Sequence, residues 1–429
     1  MKYTQIDRQL FIKNRSNFSK KIHGDDIAIF NSNDVMPTNA DGTMPFRQNN
    51  DLFWLSGVDQ EESILVISPN HPDKSMREIL FLKETNDHIA IWEGEKLTKK
   101  TAFETSGVKT VFWLNEFKAK INGLISRSSG IYLNKNMHAR STSKVQTRDD
   151  RFRLMIKERF ADKEIKEVSP IMHNLRSIKS PEEIKLLQTA CDITEKGLRR
   201  ILPMIKPGLM EYEIEAELIH EFLNNRSSGF AYQPIIGSGI NSCVLHYIDN
   251  NKKCNKGDVL LMDFGAEYAN YASDLTRTVP VNGSFTKRQK NVYNSVLYVM
   301  KEATKMLSPG TNFKKYNKEI GRIMELELIK LGLLDKHDIA KQDIQNPLYK
   351  KYFMHGTSHY LGLDVHDVGS MDWDMKEGMV FTCEPGIYIL NEELGIRLEN
   401  DILVTESGPD DLMKAIPIEA EEIEDLMRC

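Results

Sequence analysis

Two apolar stretches of this chain each run straight into an acid. Lys256-Gly257-Asp258-Val259-Leu260-Leu261-Met262 is followed by Asp263, and Glu377-Gly378-Met379-Val380-Phe381-Thr382-Cys383 by Glu384, so that each acid stands six positions after a glycine. The apolar runs have the length of buried strands. Aspartate is depleted in strands, and a buried carboxylate costs roughly several kcal/mol unless something positive compensates. A basic side chain or a metal ion must therefore be near.

The likeness continues downstream. After Asp263 a Gly265-Ala266-Glu267 turn is expected, with Tyr268 to Tyr271 as the return strand and Asp274 ahead of Leu275-Thr276-Arg277-Thr278; after Glu384 comes Glu399 in Gly395-Ile396-Arg397-Leu398-Glu399. It also extends upstream. Met204-Ile205-Lys206-Pro207-Gly208 leads into a helix expected over Glu211 to Leu223, and Met306-Leu307-Ser308-Pro309-Gly310 into one over Phe313 to Leu331. An internal duplication accounts for both, and it gives two pseudo-equivalent hairpins with two carboxylates each. Taken singly, Asp263 reads as a turn or salt-bridge residue and Arg397 as the neutraliser of a neighbouring acid. Four acids converging on one spot need cations, and oxygen ligands suit two divalent ions of the harder kind, such as manganese or magnesium.

An imidazole ligand has an obvious source. Met354-His355-Gly356-Thr357-Ser358-His359-Tyr360-Leu361-Gly362-Leu363-Asp364-Val365-His366-Asp367-Val368-Gly369 holds three of the chain's 11 histidines. His355 and His359 are spaced like a helical zinc pair, but Gly356 stands where that motif needs its glutamate, which rules the motif out. His246, in Cys243-Val244-Leu245-His246-Tyr247, reads by itself as an ordinary half-buried histidine, and Cys243 and Cys383 as small core residues.

Length and composition frame these motifs. At 429 residues the chain exceeds one ordinary core, and 40% hydrophobic with 28% charged residues describes a globular protein. A net charge of −5 gives no basic excess that would point to nucleic acid. Five cysteines (Cys191, Cys243, Cys254, Cys383 and Cys429) show no CxxC spacing, which suggests a reducing compartment. The start of the chain lacks an apolar signal core and no 18 apolar residues run together, so a cytoplasmic protein with no membrane segment is expected. The first 170 or so residues mix helical stretches with short strand-like runs at Glu62–Ile67, Ile79–Leu82 and Ile89–Trp92, as an α/β domain would. At Lys179-Ser180-Pro181-Glu182-Glu183 an N-cap serine, a proline at the first helical position and a capping-box glutamate open a long helix carrying Ile184, Leu187, Ala190, Cys191, Ile193 and Leu198. A domain boundary near residue 176 follows.

These motifs resemble the pita-bread metallopeptidases, and within them the bacterial Xaa-Pro aminopeptidases (aminopeptidase P). HGTSHYLGLDVHDVG and EPGIYI (Glu384–Ile389) are the specific matches, and PFRQNNDLFWLSG (Pro45–Gly57) resembles the motif of that family's N-terminal domain. The resemblance implies an α+β chain, with a smaller α/β N-terminal domain over residues 1–175 and a catalytic pita-bread domain with internal pseudo-twofold duplication over 176–429. It implies that Asp263 chelates one metal, that Asp274 and Glu399 bridge two, and that His359 and Glu384 complete the other, with manganese the expected ion. It gives His246 and His366 contacts to the scissile peptide, places His355 at the substrate pocket, sets Arg397 and Tyr388 behind Asp263, and puts Tyr232 beside the metals. Asn400 departs from the acid expected after Glu399. The implied reaction releases the first residue of peptides with proline second, through a metal-bridging hydroxide with Glu384 as general base; a homodimer or homotetramer is implied as well. Prolidase, which cuts Xaa-Pro dipeptides, is the close alternative. A non-catalytic binding module of the same fold is disfavoured, because all five ligands are present.

Overall fold

The computed structural model describes residues 2–138 and 140–428; Cys429, one of the five cysteines, lies outside them. Contacts divide the chain into a unit Thr4–Arg176 and a second unit from Ser177 onward, to which Tyr3 also belongs.

The first unit is built on one mixed six-stranded sheet. Its strands β1 (Ile27–Asn31), β2 (Ile64–Ile67), β3 (Glu78–Leu82), β4 (Thr110–Trp113), β5 (Gly130–Leu133) and β6 (Glu164–Glu167) lie in the order β4-β3-β2-β1-β5-β6. Alternate residues Ile27, Ile29, Ile64, Val66, Ile79, Phe81, Ile131 and Leu133 pack on Phe117, Ile121, Leu124 and Ile125 of the helix Phe117–Arg127. One expectation fails here. Ile89–Trp92 is not a strand but part of a helix, Asp87–Glu93, with Ile91 and Trp92 each 79% exposed. Four apolar residues suit a strand or one helical turn equally, and the caps decide: the Asn86 side chain accepts the Ile89 N–H at 3.0 Å, and Gly94, with a positive φ of 77°, ends the helix.

In the second unit the capping box at Ser180 opens a helix, Pro181–Ile201, that buries Leu187, Ala190, Cys191, Ile193 and Leu198 and leaves Ile184 at the margin. The duplication is visible in the backbone hydrogen bonds. In one half Gly208 N–H donates to Cys254 O and Cys254 N–H to Leu209 O, both at 2.8 Å; in the other Gly310 N–H donates to Met375 O at 2.9 Å and Met375 N–H to Thr311 O at 2.8 Å. The following bridges match too, Met210 with Lys253 and Asn312 with Asp374. Helices Glu211–Asn224 and Phe313–Lys330 then start at equivalent places.

The paired sheets carry the acids. Strands β7 (Gly229–Phe230), β8 (Ile235–Ser238), β9 (Val259–Phe264), β10 (Ala266–Tyr268), β11 (Tyr271–Ala272) and β12 (Leu275–Pro280) belong to the first half, where β12-β9-β8 form one antiparallel sheet. Strands β13 (Val380–Cys383), β14 (Gly386–Ile389), β15 (Leu394–Arg397), β16 (Asn400–Thr405) and β17 (Gly408–Asp411) belong to the second, where β13-β16-β17 form its counterpart. The expected turn at Gly265–Glu267 is displaced. Ala266–Tyr268 is itself a strand, and the chain reverses at Ala269-Asn270, both with positive φ (53° and 66°), where the Glu267 carboxylate accepts the Asn270 N–H. The partner of β9 is therefore β12, with Thr276 opposite Asp263, and not the tyrosine segment.

Candidate metal centre

Four local features bring the acids together. Asp263 lies in β9 between Ile235 of β8 and Thr276 of β12, so its side chain leaves the sheet on a defined face. Asp274 stands just before β12, and its N–H donates to the buried Asp401 carboxylate at 3.0 Å. Glu399 precedes β16, and its N–H donates to Thr276 O at 3.1 Å, which joins the two halves. On the other side, Thr357, His359 and Leu361 run beside β13: Glu384 N–H donates to Thr357 O, Thr382 N–H to His359 O, and Leu361 N–H to Val380 O. That extended pairing sets His359 next to Glu384.

The side chains converge. Donor atoms of Asp274, His359 and Glu399 all lie within 4.8 Å of one another. His359 Nε2 is 3.4 Å from Asp274 Oδ2 and 3.6 Å from Glu384 Oε1. Tyr232 Oη donates to Asp263 Oδ1 at 2.6 Å and to Asp274 Oδ1 at 2.5 Å. Arg397 Nη2 holds Asp263 Oδ2 at 2.5 Å, while its Nη1 donates to Tyr388 Oη at 2.9 Å and its Nε to Thr276 Oγ1 at 3.1 Å. Thr276 in turn donates to Glu399 Oε2 at 2.6 Å. His355 Nε2 lies 2.8 Å from Tyr388 Oη, and its Nδ1 is 3.7 Å from Glu384 Oε2. The His366 ring stands edge-on to that of His359, with centroids 4.4 Å apart. The neighbouring Asp367 forms a buried ion pair with Lys179 at 3.1 Å, which pins the histidine-rich segment.

His246 stands apart. It is exposed in a turn, and among the described residues no hydrogen bond or ion pair joins it to the carboxylates. Sequence reading passed over Thr276 and Asp401, which touch the acids directly. An acid two residues past Glu399, running straight into Ile402-Leu403-Val404, was the available signal for Asp401. Asn400 has a physical account: its Oδ1 accepts from the fully buried Arg277 at 2.8 Å, and its Nδ2 donates to Asp411 Oδ2 at 2.7 Å. An aspartate there could not donate.

The electrostatics of the cluster follow from its composition. Four carboxylates face one guanidinium, so the excess is negative. Burial pushes the Glu384 carboxyl up to about 7, the fields of Asp274 and Asp263 adding to it against His359 and Arg397. Burial first, then neighbouring acids, also raises Glu399 and Asp263, with Arg397 opposing both. On His359 burial disfavours charge, yet the bond to Asp274 and the nearby acids push the imidazole up to about 9. The negative field that raises these groups is one that would equally attract a cation. The donor set of buried carboxylates and one imidazole fits divalent metal ions.

Comparison with known proteins agrees. A model of metallopeptidase family M24 matches residues 185–406, and one of the aminopeptidase P N-terminal domain matches residues 11–132. The chain belongs to the aminopeptidase P group of family M24. As a member it is a hydrolase of the metal-dependent aminopeptidase class. A Xaa-Pro aminopeptidase of Escherichia coli is 34% identical, over 99% of this chain and 98% of that one. Its counterpart from Haemophilus influenzae is 35% identical over 91% and 90%. The structure of Pseudomonas aeruginosa aminopeptidase PepP superposes with a TM-score of 0.90 at 29% identity, covering 99% of this chain and 98% of that one. An aminopeptidase P structure from E. coli gives 0.89 at 32%, covering 99% of both. Aminopeptidase P membership agrees with the pita-bread architecture and internal duplication expected from the sequence.

Proposed function

We propose that the chain releases the N-terminal residue from peptides with proline in the second position, using two divalent metal ions, with manganese the expected metal. Residues 1–175 form its N-terminal domain and 176–429 its catalytic domain. The observation that carries the reading is the buried excess of carboxylates around His359, in a chain that matches Xaa-Pro aminopeptidases over almost its whole length. Asp263 would hold one ion, His359 and Glu384 the other, with Asp274 and Glu399 shared between them. When bound, the ions acidify water and polarise the scissile carbonyl.

The remaining steps belong to the chain. Glu384 takes the proton of the attacking water and later delivers it to the proline nitrogen; its side chain, 18% exposed, is the most open of the four acids. His246 and His366 contact the scissile peptide, and one or the other donates to the developing oxyanion, as a preorganised donor does. His355 and Tyr388 support each other at the pocket wall, and Arg397 orients Asp263 and opposes its protonation. A cytoplasmic homodimer or homotetramer completes the proposal. The free state of Cys191, Cys243, Cys254 and Cys383 supports a reducing compartment, and no helix among the described residues is long and apolar enough to cross a membrane.

Kinetics on manganese-loaded protein test the proposal. Tripeptides Xaa-Pro-Yaa should be cleaved at least as efficiently as Xaa-Pro dipeptides, chelation should abolish the activity, and Glu384→Gln should lower kcat by at least about a hundredfold while most metal is retained. Cleavage confined to dipeptides would make the enzyme a prolidase. Active protein without divalent metal would end the metal assignment.

A further inference from the structure

The segment that carries His246 is held from beneath by a single acid. Glu211, the first residue of the helix Glu211–Asn224, is fully buried. Its Oε1 accepts the Ser238 N–H at 2.8 Å and Asn241 Nδ2 at 3.5 Å; its Oε2 accepts the Lys252 N–H at 2.8 Å and Tyr247 Oη at 2.7 Å. Its own N–H donates to Lys252 O at 2.9 Å. One carboxylate thus ties both ends of the segment 238–252, as well as the residue next to His246.

One helical turn on, Glu215 accepts Asn250 Nδ2 at 2.9 Å, and Asn250 Oδ1 accepts the Ile236 N–H at 2.9 Å, so the clamp has a second rung. Above the clamp the segment has little cover: Val244 is 47% and Ile248 45% exposed. All four donors to Glu211 are neutral, and among the described residues no basic side chain pairs with it. A buried anion of this kind is tolerated only when its lone pairs are filled, which here requires two acceptor oxygens. Glutamine supplies one, and would turn its amide N–H groups toward a backbone N–H.

We infer that Glu211 is the positioning residue for His246, fixing the segment so that the imidazole meets the scissile peptide. This rests on the role proposed above for His246. The orientational demand is steep, since a displacement of about 1 Å can cost on the order of a hundredfold in rate.

The test is a double-mutant cycle on manganese-loaded protein with a Xaa-Pro-Yaa tripeptide, following kcat and KM separately, with melting temperature and manganese content measured for every variant. His246→Ala should lower kcat by at least about tenfold. Glu211→Gln should lower kcat to a similar extent with KM changed far less, and should add nothing in the His246→Ala background. Deuterium exchange should quicken in 238–252 and nowhere else. Full kcat in Glu211→Gln beside an impaired His246→Ala would overturn the inference, as would losses that multiply in the double variant, the signature of a merely structural role. Unimpaired His246→Ala would instead remove the role of His246 itself, and the inference with it. Should Glu211→Gln not fold, Tyr247→Phe, which deletes one donor of the clamp, decides by the same non-additivity.

Discussion

Glu384, Glu399, Asp263 and His359 share a field that favours protons, and this has a direction in pH. A carboxylate whose folded pKa is raised stabilises the fold below its unfolded value and loses that contribution as pH rises through the folded one; for Glu384 the window runs from the ordinary 4.5 to about 7. A raised imidazole behaves alike, and for His359 the window runs from 6.5 to about 9. The metal-free protein should therefore lose stability from pH 5 to pH 8, and manganese should restore more of it at the upper end. Melting curves with and without manganese should diverge by roughly 5 °C or more across that range. A second expectation concerns Asn400. Asn400→Asp sets two carboxylates face to face at Asp411 and should cost about 1–3 kcal/mol in urea unfolding, whereas Asn400→Asp with Asp411→Asn should recover most of it. The four acids could be read from the sequence because acids are out of place beside apolar runs and recur in both copies, whereas His359 was singled out from His355 and His366 only by the family resemblance. Thr276 was not legible, because a threonine in a strand says nothing of its partner until the register shows what lies opposite; Asp401 was passed over although an acid ahead of Ile402-Leu403-Val404 was a signal of the same kind.

Elements were legible where a cap or a turn declares itself. Ser180-Pro181-Glu182-Glu183 announced a helix, and the two Pro-Gly turns announced the duplicated pair, because each supplies backbone chemistry that works without tertiary help. The β9–β12 hairpin was misplaced because its reversal uses Ala269-Asn270, a non-glycine pair with positive φ, while the glycine that suggested a turn does something else. A Cβ on Gly265 would stand 1.8 Å from Ser273 O, so glycine there permits the backbone ahead of Asp274 to close on the strand after Asp263. Gly265→Ala should cost about 2–4 kcal/mol and reduce bound manganese at the same time, as read by thermal unfolding and elemental analysis.

For the whole molecule, the four acids all lie in the second unit, in two stretches, Asp263 to Asp274 and Glu384 to Glu399, far apart in the sequence. Arg397 reaches Asp263 across 134 positions, and Thr276 reaches Glu399 across 123. Adding manganese to metal-free protein should slow deuterium exchange within 259–280 and 380–405, with the sheet of the first unit unchanged; equal protection throughout would contradict a centre confined to these hairpins. These long separations also set an order of events during synthesis. At about 5–20 residues per second, Asp263 and Asp274 leave the ribosome on the order of ten seconds before Glu399. Until His355 and His359 follow, the nascent chain has half of its carboxylates and none of their partners from the second half. Metal capture is thereby a late step, open to the chain only after translation has brought the second half to the first.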